Sequence, residues 1–396
     1  MPGGGDPSVA YVVSQWGART QTFVRREAEA VRARGCQVAA LSLKRALPTD
    51  VDIEVRRLGP TALVAGLGRA FARRPVACAR IIATVVRRSA PRNAPSQLVA
   101  ACIGMAWAGN GTVRENHLHA HFGWVAATAA WSAATLTGKP YSVMLHAFEM
   151  HSRRHVDGFT AIPLEKAARV FTESHRDRGI IHERWGVDAT VVRMGVPRAW
   201  LDPSPVERDP WLIVSVGALR PKKGHDVLLQ ALSLADPRWR VVICGEGPLR
   251  VDLEAKVADL GLDRRVTLAG AQSEAEVHDQ LHRAAVSCLA CVETPGGDRD
   301  GIPIALMEGL AAGTAVVSTY VGAIHELLDG VGTLVPSGDP AALASALDEL
   351  RDPAVRAHMA AAGRRRILEE FVAEEAAAPV VDLVRHAEPT RARVAS

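Results

Sequence analysis

Short apolar runs alternate along this chain with longer amphipathic stretches. Residues 9–14, VAYVVS, are apolar and β-branched, the loop QWGAR follows, and a helical pattern runs from Thr20 to about Arg34. Gly35 closes that helix and CQVAALSL reads as a second buried strand. A strand–helix–strand start of this kind builds a parallel sheet covered by helices on both faces. The rhythm continues through HLHAHF (117–122), a helix over about 124–136, YSVMLH (141–146) and ARVFTES (168–174), where Thr172 or Ser174 caps a helix reaching about Trp185 before a short strand near Val191. The prolines of LDPSPVERDP then mark a linker. Beyond it the pattern restarts with strands at WLIVSVGAL (211–219), VVICGEGP (241–248), RVTLAG (265–270), VSCLACV (286–292) and AVVST (315–319), and helical segments follow Asp339. The pattern predicts an α/β protein of two Rossmann-like domains, residues 1–200 and 201–396.

Composition narrows the setting. With 48% hydrophobic and 23% charged residues, the sequence is that of a globular protein. Neither a leader pattern in MPGGGDPS nor an apolar run of about 18 residues is present, so the expectation is a cytoplasmic protein. Its six cysteines are then expected to be free thiols, and the pair Cys288 and Cys291 falls inside a predicted strand, against a redox or metal role. The net charge of +4 makes no case for nucleic acid, but it is unevenly spread. Residues 55–114 contain no Asp or Glu and carry Arg56, Arg57, Arg69, Arg73, Arg74, Arg80, Arg87, Arg88, Arg92 and Arg114. On amphipathic helices these would face anionic lipid or an anionic acceptor; a solvated basic face is the other reading.

The densest chemistry lies in residues 296–313, GGDRDGIPIALMEGLAAG, where Asp300 and Glu308 stand eight positions apart across a predicted loop-to-helix junction. Pro303 suits the first helical position, which would leave the N–H groups of Ile304, Ala305 and Leu306 open to a phosphate. Gly301 and Ile302 lead into that turn. Upstream, the turn RPKKG follows a strand, so Arg220 and Lys223 are placed to neutralise phosphate charge, and Glu308 to accept from a ribose hydroxyl pair. Gly247 and Gly270 close two further strand ends, as Gly17 does beside Trp16 in the first half. His117, His119 and His121 alternate and share one strand face, yet a strand covered on both faces leaves little room for zinc, and no metal is expected. His121 and His146 read as strand-end residues facing a cleft, with a structural role for each as the alternative.

The segments VGALRPKKGHDVLLQAL, CGEGP, LAG and DGIPIALMEGLAAGTAVVST resemble the nucleotide-sugar domain of retaining glycosyltransferase family 4. In the first half, TQTFVRREAEAVRARG, HLHAHFGWVAATAA and YSVMLHAFEM resemble the colanic-acid and exopolysaccharide type of that family. The resemblance implies a GT-B fold, two Rossmann-like domains whose parallel sheets face a central cleft, with acceptor bound by the first domain, nucleotide sugar by the second, and the last helix packing back on the first. It implies transfer of a hexose or N-acetylhexosamine, UDP-sugar before GDP-mannose, to a carbohydrate, lipid-linked or small-molecule acceptor, without metal or cofactor. The family's paired glutamates correspond to Asp300 and Glu308, its diphosphate cation to Lys223, and its histidine near the donor sugar to His146. Asp300 is one methylene shorter than the family's residue, and Ala218 stands where an arginine is usual, with Arg220 two positions on. Trp16, Thr20 and His121 are the expected acceptor contacts, and peripheral contact with the inner face of an anionic membrane is expected from the arginine-rich stretch. A sugar-nucleotide epimerase of similar fold and a non-catalytic nucleotide-sugar-binding relative are the alternatives.

Overall fold

Continuous apolar runs become the buried strands of two wholly parallel sheets in the computed structural model, which describes residues 6–18, 21–151 and 159–386. The first sheet contains β1 (Ser8–Val13), β2 (Gln37–Ser42), β3 (Glu54–Arg56), β4 (His117–His121), β5 (Tyr141–Leu145), β6 (Arg169–Thr172) and β7 (Ala189–Val191), in the order β3-β2-β1-β4-β5-β6-β7. Helix α1 (Thr22–Ala33) joins β1 to β2. Helices α2 (Pro60–Arg73), α3 (Pro75–Arg88) and α4 (Ala94–Asn110) lie between β3 and β4, α5 (Val125–Thr137) joins β4 to β5, and α6 (Ala147–His151) leaves β5 directly. Buried Val12, Leu118, Ala120 and Val143 on the strands pack with Met105, Trp107 and the alanines of α5. The register puts Tyr11 beside His119 and His119 beside Ser142, so polar groups from three adjacent strands meet inside the sheet.

The second sheet contains β8 (Asp209–Val216), β9 (Arg240–Cys244), β10 (Val266–Gly270), β11 (Ala284–Leu289), β12 (Ala315–Thr319) and β13 (Thr333–Val335), ordered β10-β9-β8-β11-β12-β13. Leu228, Leu232 and Leu347 from its helices pack on Ile213, Val241, Val286 and Val317. In each sheet the strand order reverses between the first strand and its later neighbour, at β1/β4 and at β8/β11. Ligands of such folds bind outside the carboxyl ends of the strands at that reversal.

Several expectations need correction. The chain divides after Val192, not at 200; the segment from Ala377 on, whose helix the resemblance had packing back on the first domain, groups with the first unit and leaves Arg193–Ala376 as the second. The helix Ala378–Arg385 buries Val380, Val381 and Val384, and it contacts α1 and β1. The three-residue strands β3 and β13 were too short to show as apolar runs. Strand β11 ends at Leu289, so Cys291 lies past it; all six cysteines are free. Among the described residues, no helix is long and apolar enough to cross a membrane.

Candidate active site

After β8 the chain turns through Gly217 and a short 3-10 helix, Pro221–Lys223. Gly224 ends that turn at φ +63°, and a Cβ there would lie 1.7 Å from Ala290 O. The turn is thereby held flat against the end of β11, and Val292 N donates to Lys222 O at 3.0 Å. Both lysines then reach the loop after β11. Lys223 Nζ lies 2.7 Å from Asp300 Oδ2, while Lys222 Nζ is 3.4 Å from Asp300 Oδ1 and 3.2 Å from Asp298 Oδ1. Burial works against the charge on Asp300, but Lys223 and then Lys222 more than offset it, and the carboxyl is held below its usual range. By the same balance Lys223 is raised: burial opposes its charge and Asp300 restores it. Cys291 Sγ donates to Asp300 Oδ2 at 3.6 Å, and burial followed by the Asp300 charge keeps the thiol protonated. Behind them, Gly322 at φ +57° would place a Cβ 2.1 Å from Asp300 O, so the loop after β12 forms a floor beneath the acid.

The helix that follows is Ile304–Ala311. Pro303 occupies its cap position at φ −64°, one residue earlier than expected, and the Leu306 N–H already donates to Pro303 O at 3.0 Å. That leaves Ile304 and Ala305 as the amides without an intrahelical acceptor. Gly301 and Ile302 are buried beneath the turn. Glu308 lies one turn further on and is 7% exposed. Arg220 is exposed and has no salt-bridge partner among the described residues. Gly247 packs its α-carbon against Leu219, and Gly270 O accepts from Gly245 N at 2.8 Å, so both shape strand ends on the same side of the sheet as Lys223.

The first unit gathers its own polar cluster at the carboxyl ends of β4 and β5. Glu27 Oε1, from α1, accepts from Tyr11 Oη at 3.0 Å and lies 3.1 Å from His119 Nε2 and 3.2 Å from His121 Nε2. His121 Nδ1 and His146 Nε2 are 3.2 Å apart with stacked rings, and His146 Nδ1 lies 3.7 Å from Glu173 Oε2. Glu149 Oε2 accepts from His146 N at 3.0 Å. Ser142 Oγ takes up His117 Nε2 at 2.8 Å and His119 Nδ1 at 2.7 Å. Burial leads the shifts here. It lowers His117 to about 3 and His121 to about 4, and it raises Glu149 to about 7. Glu27 goes the other way, because His121 and His119 outweigh burial and hold its carboxyl low. His146 is raised: burial opposes its charge, but Glu173, Glu149 and Glu27 prevail. Glu27, His119 and His121 place ligand-type atoms within 4.8 Å of one another, the spacing a cation would need. In this structure Tyr11 Oη and His121 Nε2 hydrogen-bond to the same Glu27 oxygen, and His119 Nε2 lies at charge-pair distance from it.

His146, Asp300, Lys223 and Glu308 therefore sit where the carboxyl ends of the strands put them, each within its own unit. Two expected acceptor contacts do not survive as surface groups: Trp16 is 2% exposed, and His121 is fully buried with both ring nitrogens engaged. Gly17 is a close-approach residue, since a Cβ there would lie 2.5 Å from Leu47 O. Thr20 lies outside the described residues. Sequence reasoning passed over Lys222, Tyr11, Glu27, Glu149, Glu173 and Gly322. Glu27 had a readable signal, because it shares a helical face with the buried Val24, Ala28 and Val31 at spacings of three and four.

The sequence profile of glycosyl transferases group 1 matches residues 198–366. The putative colanic acid biosynthesis glycosyltransferase WcaL of Escherichia coli is 38% identical over 164 residues, 40% of this chain and 40% of that protein. The chain spans 35% to 60% of the length of three curated relatives that it matches. Among solved structures, a sucrose-phosphate synthase from Thermosynechococcus elongatus has a TM-score of 0.74 at 19% identity, covering 96% of this chain and 98% of that one. Anabaena HepE, solved with UDP and glucose, has a TM-score of 0.71 at 14% identity, covering 96% and 99%. At these identities the likeness is one of fold, and the fold is GT-B.

Proposed function

We propose, from the match of residues 198–366 to glycosyl transferases group 1, that the whole chain is a retaining glycosyltransferase that moves a hexose or N-acetylhexosamine from a nucleoside diphosphate sugar to a hydroxyl acceptor. The observation that carries this reading is the juxtaposition of Lys223, Lys222 and Asp300 ahead of the helix Ile304–Ala311. A diphosphate laid against that turn would meet two ammonium groups and the amides of Ile304 and Ala305, which is the stabilisation a departing diphosphate needs. Arg220, exposed at the start of the same turn, adds a third cation. Glu308 is proposed to hold the ribose, and Asp300 to orient Lys223 and the sugar. His146, in the first unit, is proposed to donate to a donor-sugar oxygen. The chemistry proceeds without a metal: the leaving diphosphate takes the acceptor proton as it departs, and transfer occurs on the face it leaves. The donor is proposed to be a UDP-sugar before GDP-mannose.

The acceptor is proposed to be a lipid-linked or polysaccharide intermediate, with the first unit contributing its binding surface. Helices α2 and α3 support this. They expose Arg73, Arg74, Arg80, Arg87 and Arg88 together with Val64, Phe71, Val76 and Val86, a combination suited to the inner surface of an anionic membrane. Arg56 is excluded from that surface, being paired with Glu54 and Glu115.

The test is to incubate the pure protein with a panel of UDP- and GDP-sugars, with and without bacterial lipid extract, and to follow free nucleotide and sugar product. Nucleotide release that depends on lipid, with the sugar recovered on the acceptor, is expected. Isomerised or hydrolysed donor without acceptor dependence would make it an epimerase, and binding without turnover would make it a non-catalytic relative.

A further inference from the structure

Two buried carboxylates, Glu27 and Glu173, stand at opposite ends of a pair of imidazoles. Reading across, Glu27 Oε1 is 3.2 Å from His121 Nε2, His121 Nδ1 is 3.2 Å from His146 Nε2, and His146 Nδ1 is 3.7 Å from Glu173 Oε2. An ionised carboxylate can only accept. Glu27 therefore fixes the proton of His121 on Nε2 and leaves Nδ1 as a bare lone pair. That lone pair requires an N–H on His146 Nε2. Glu173, at ion-pair distance from the other nitrogen, favours a proton on Nδ1 as well. From this geometry we propose that Glu27 and His121 are positioning residues that hold His146 as an imidazolium, with Nε2–H committed to His121 and Nδ1–H free to be lent to an oxygen of the substrate.

The surroundings fit. Tyr11 on β1 also donates to Glu27 Oε1 at 3.0 Å, and His119 Nε2 on β4 lies 3.1 Å from the same oxygen. Glu149 on α6 holds the His146 backbone, and Phe23 and Phe122 flank the imidazole at ring-centroid distances of 4.8 and 4.6 Å. With acids on two sides and aromatic rings against it, His146 is 6% exposed. The long 3.7 Å contact is the weakest link in the chain, so Nδ1–H is the proton that a substrate can take over. His121, by contrast, never needs to touch substrate. The inference deepens the reading of His146 as a site residue and rests on it only for the catalytic consequence.

The experiment is a nitrogen-15 titration of the histidines in the full-length protein, paired with the pH profile of turnover. In the wild type His146 should titrate above the ordinary value of about 6.5. Glu27→Gln should lower it by about one unit, because the distant negative charge and the pinned tautomer are lost together. Tyr11→Phe, which removes a bond to Glu27 without breaking the relay, should leave it in place. Turnover that depends on the imidazolium falls as pH rises through the His146 pKa, so that alkaline limb should move down in Glu27→Gln by the same amount and stay put in Tyr11→Phe. Should Glu27→Gln not fold, Glu173→Gln reads the relay from its other end and should shift His146 in the same direction. A folded Glu27→Gln protein with unmoved His146 titration overturns the proposal, as would zinc bound stoichiometrically by the wild type and lost in Glu27→Gln, since a metal-bound Nε2 cannot donate. A shifted titration in a protein that transfers no sugar would uphold the relay and sink the transferase reading alone.

Discussion

Asp300 stands between two ammonium groups, and that fact changes what its substitution should do. The resemblance made it the counterpart of one of the family's paired glutamates; the structure adds that it neutralises Lys223 and Lys222. Asp300→Asn keeps the shape, strands the ammonium of Lys223 in a buried place and leaves Lys222 to Asp298 alone, so a loss of about 3 kcal/mol in stability is expected, read as a lower denaturation midpoint. Bound nucleoside diphosphate would supply the missing negative charge, so the variant should regain most of that loss on adding UDP. A variant as stable as wild type without ligand would mean that the pair contributes nothing. Glu149 gives a second expectation. Its carboxyl is pushed up from 4.5 to about 7, mainly by burial. A raised acid pKa means that the folded state holds the proton more tightly, so this contribution is full below about pH 4.5 and is lost as pH rises through about 7. The difference between wild type and Glu149→Gln, followed by urea unfolding at pH 5 and pH 8, should therefore change by up to about 3 kcal/mol, with the Gln variant relatively more stable at pH 8. Equal pH slopes would remove Glu149 from the titrating groups.

Among the elements, what could be read from sequence was what repeats along it. Parallel strands buried on both faces are continuous apolar runs, so β1, β5, β8, β11 and β12 stood out, while β3, EVR, and β13, TLV, carried too few residues to show. Ser174 was legible as a cap, and its hydroxyl does accept from Asp177 N at 3.0 Å. The cluster around His146 was legible only in part: alternation put the histidines on one face, but nothing local said that α1 would bring Glu27 to them or that β6 would end beside them with Glu173. Resemblance supplied roles for Asp300, Glu308, Lys223 and His146, and it was silent on the elements that hold them. Gly322 is the clearest of these. Gly322→Ala would set a Cβ 2.1 Å from Asp300 O at a positive φ, so the loop after β12 or the acid itself must move. Donor affinity should fall at least tenfold, equivalent to about 1.4 kcal/mol, although no charged group is altered. Isothermal titration with UDP checks it; wild-type affinity would show that Asp300 is placed by its lysines alone. On the other unit, α2 and α3 carry the membrane expectation. Replacing Arg73, Arg74, Arg87 and Arg88 by Glu should abolish salt-sensitive binding to anionic vesicles and leave UDP affinity unchanged, because all four belong to the unit without the diphosphate turn.

At the scale of the whole molecule, the chain order and the fold disagree about where the first unit ends. The linker prolines suggested a cut near residue 200, and only the resemblance, not the pattern, had the last helix packing back; the segment from Ala377 on returns to the first unit. Composition could not reveal this, since an Ala- and Glu-rich helix reads the same whichever sheet it joins. The consequence is physical. The helix Ala378–Arg385 buries Val380, Val381 and Val384 in contact with α1 and β1, the elements that supply Glu27 and Tyr11 to the histidine cluster, and Arg385 donates to Arg34 O at 2.7 Å. Burying each of three valines contributes about 1.5 kcal/mol or more, so a chain cut after Ala376 should lose about 4.5 kcal/mol or more from the first unit and nothing comparable from the second. Hydrogen exchange on the truncated protein should then show faster exchange in β1, α1 and β4 while β8, β9 and β11 keep their protection. It should still bind UDP with unchanged affinity, because Lys222, Lys223, Asp300 and the helix Ile304–Ala311 all lie within Arg193–Ala376. Transfer should fall with the protection of α1, since Glu27 can fix His146 only while α1 is held against the sheet. Uniform loss of protection across both units would mean that they fold as one body and that the division after Val192 has no energetic meaning.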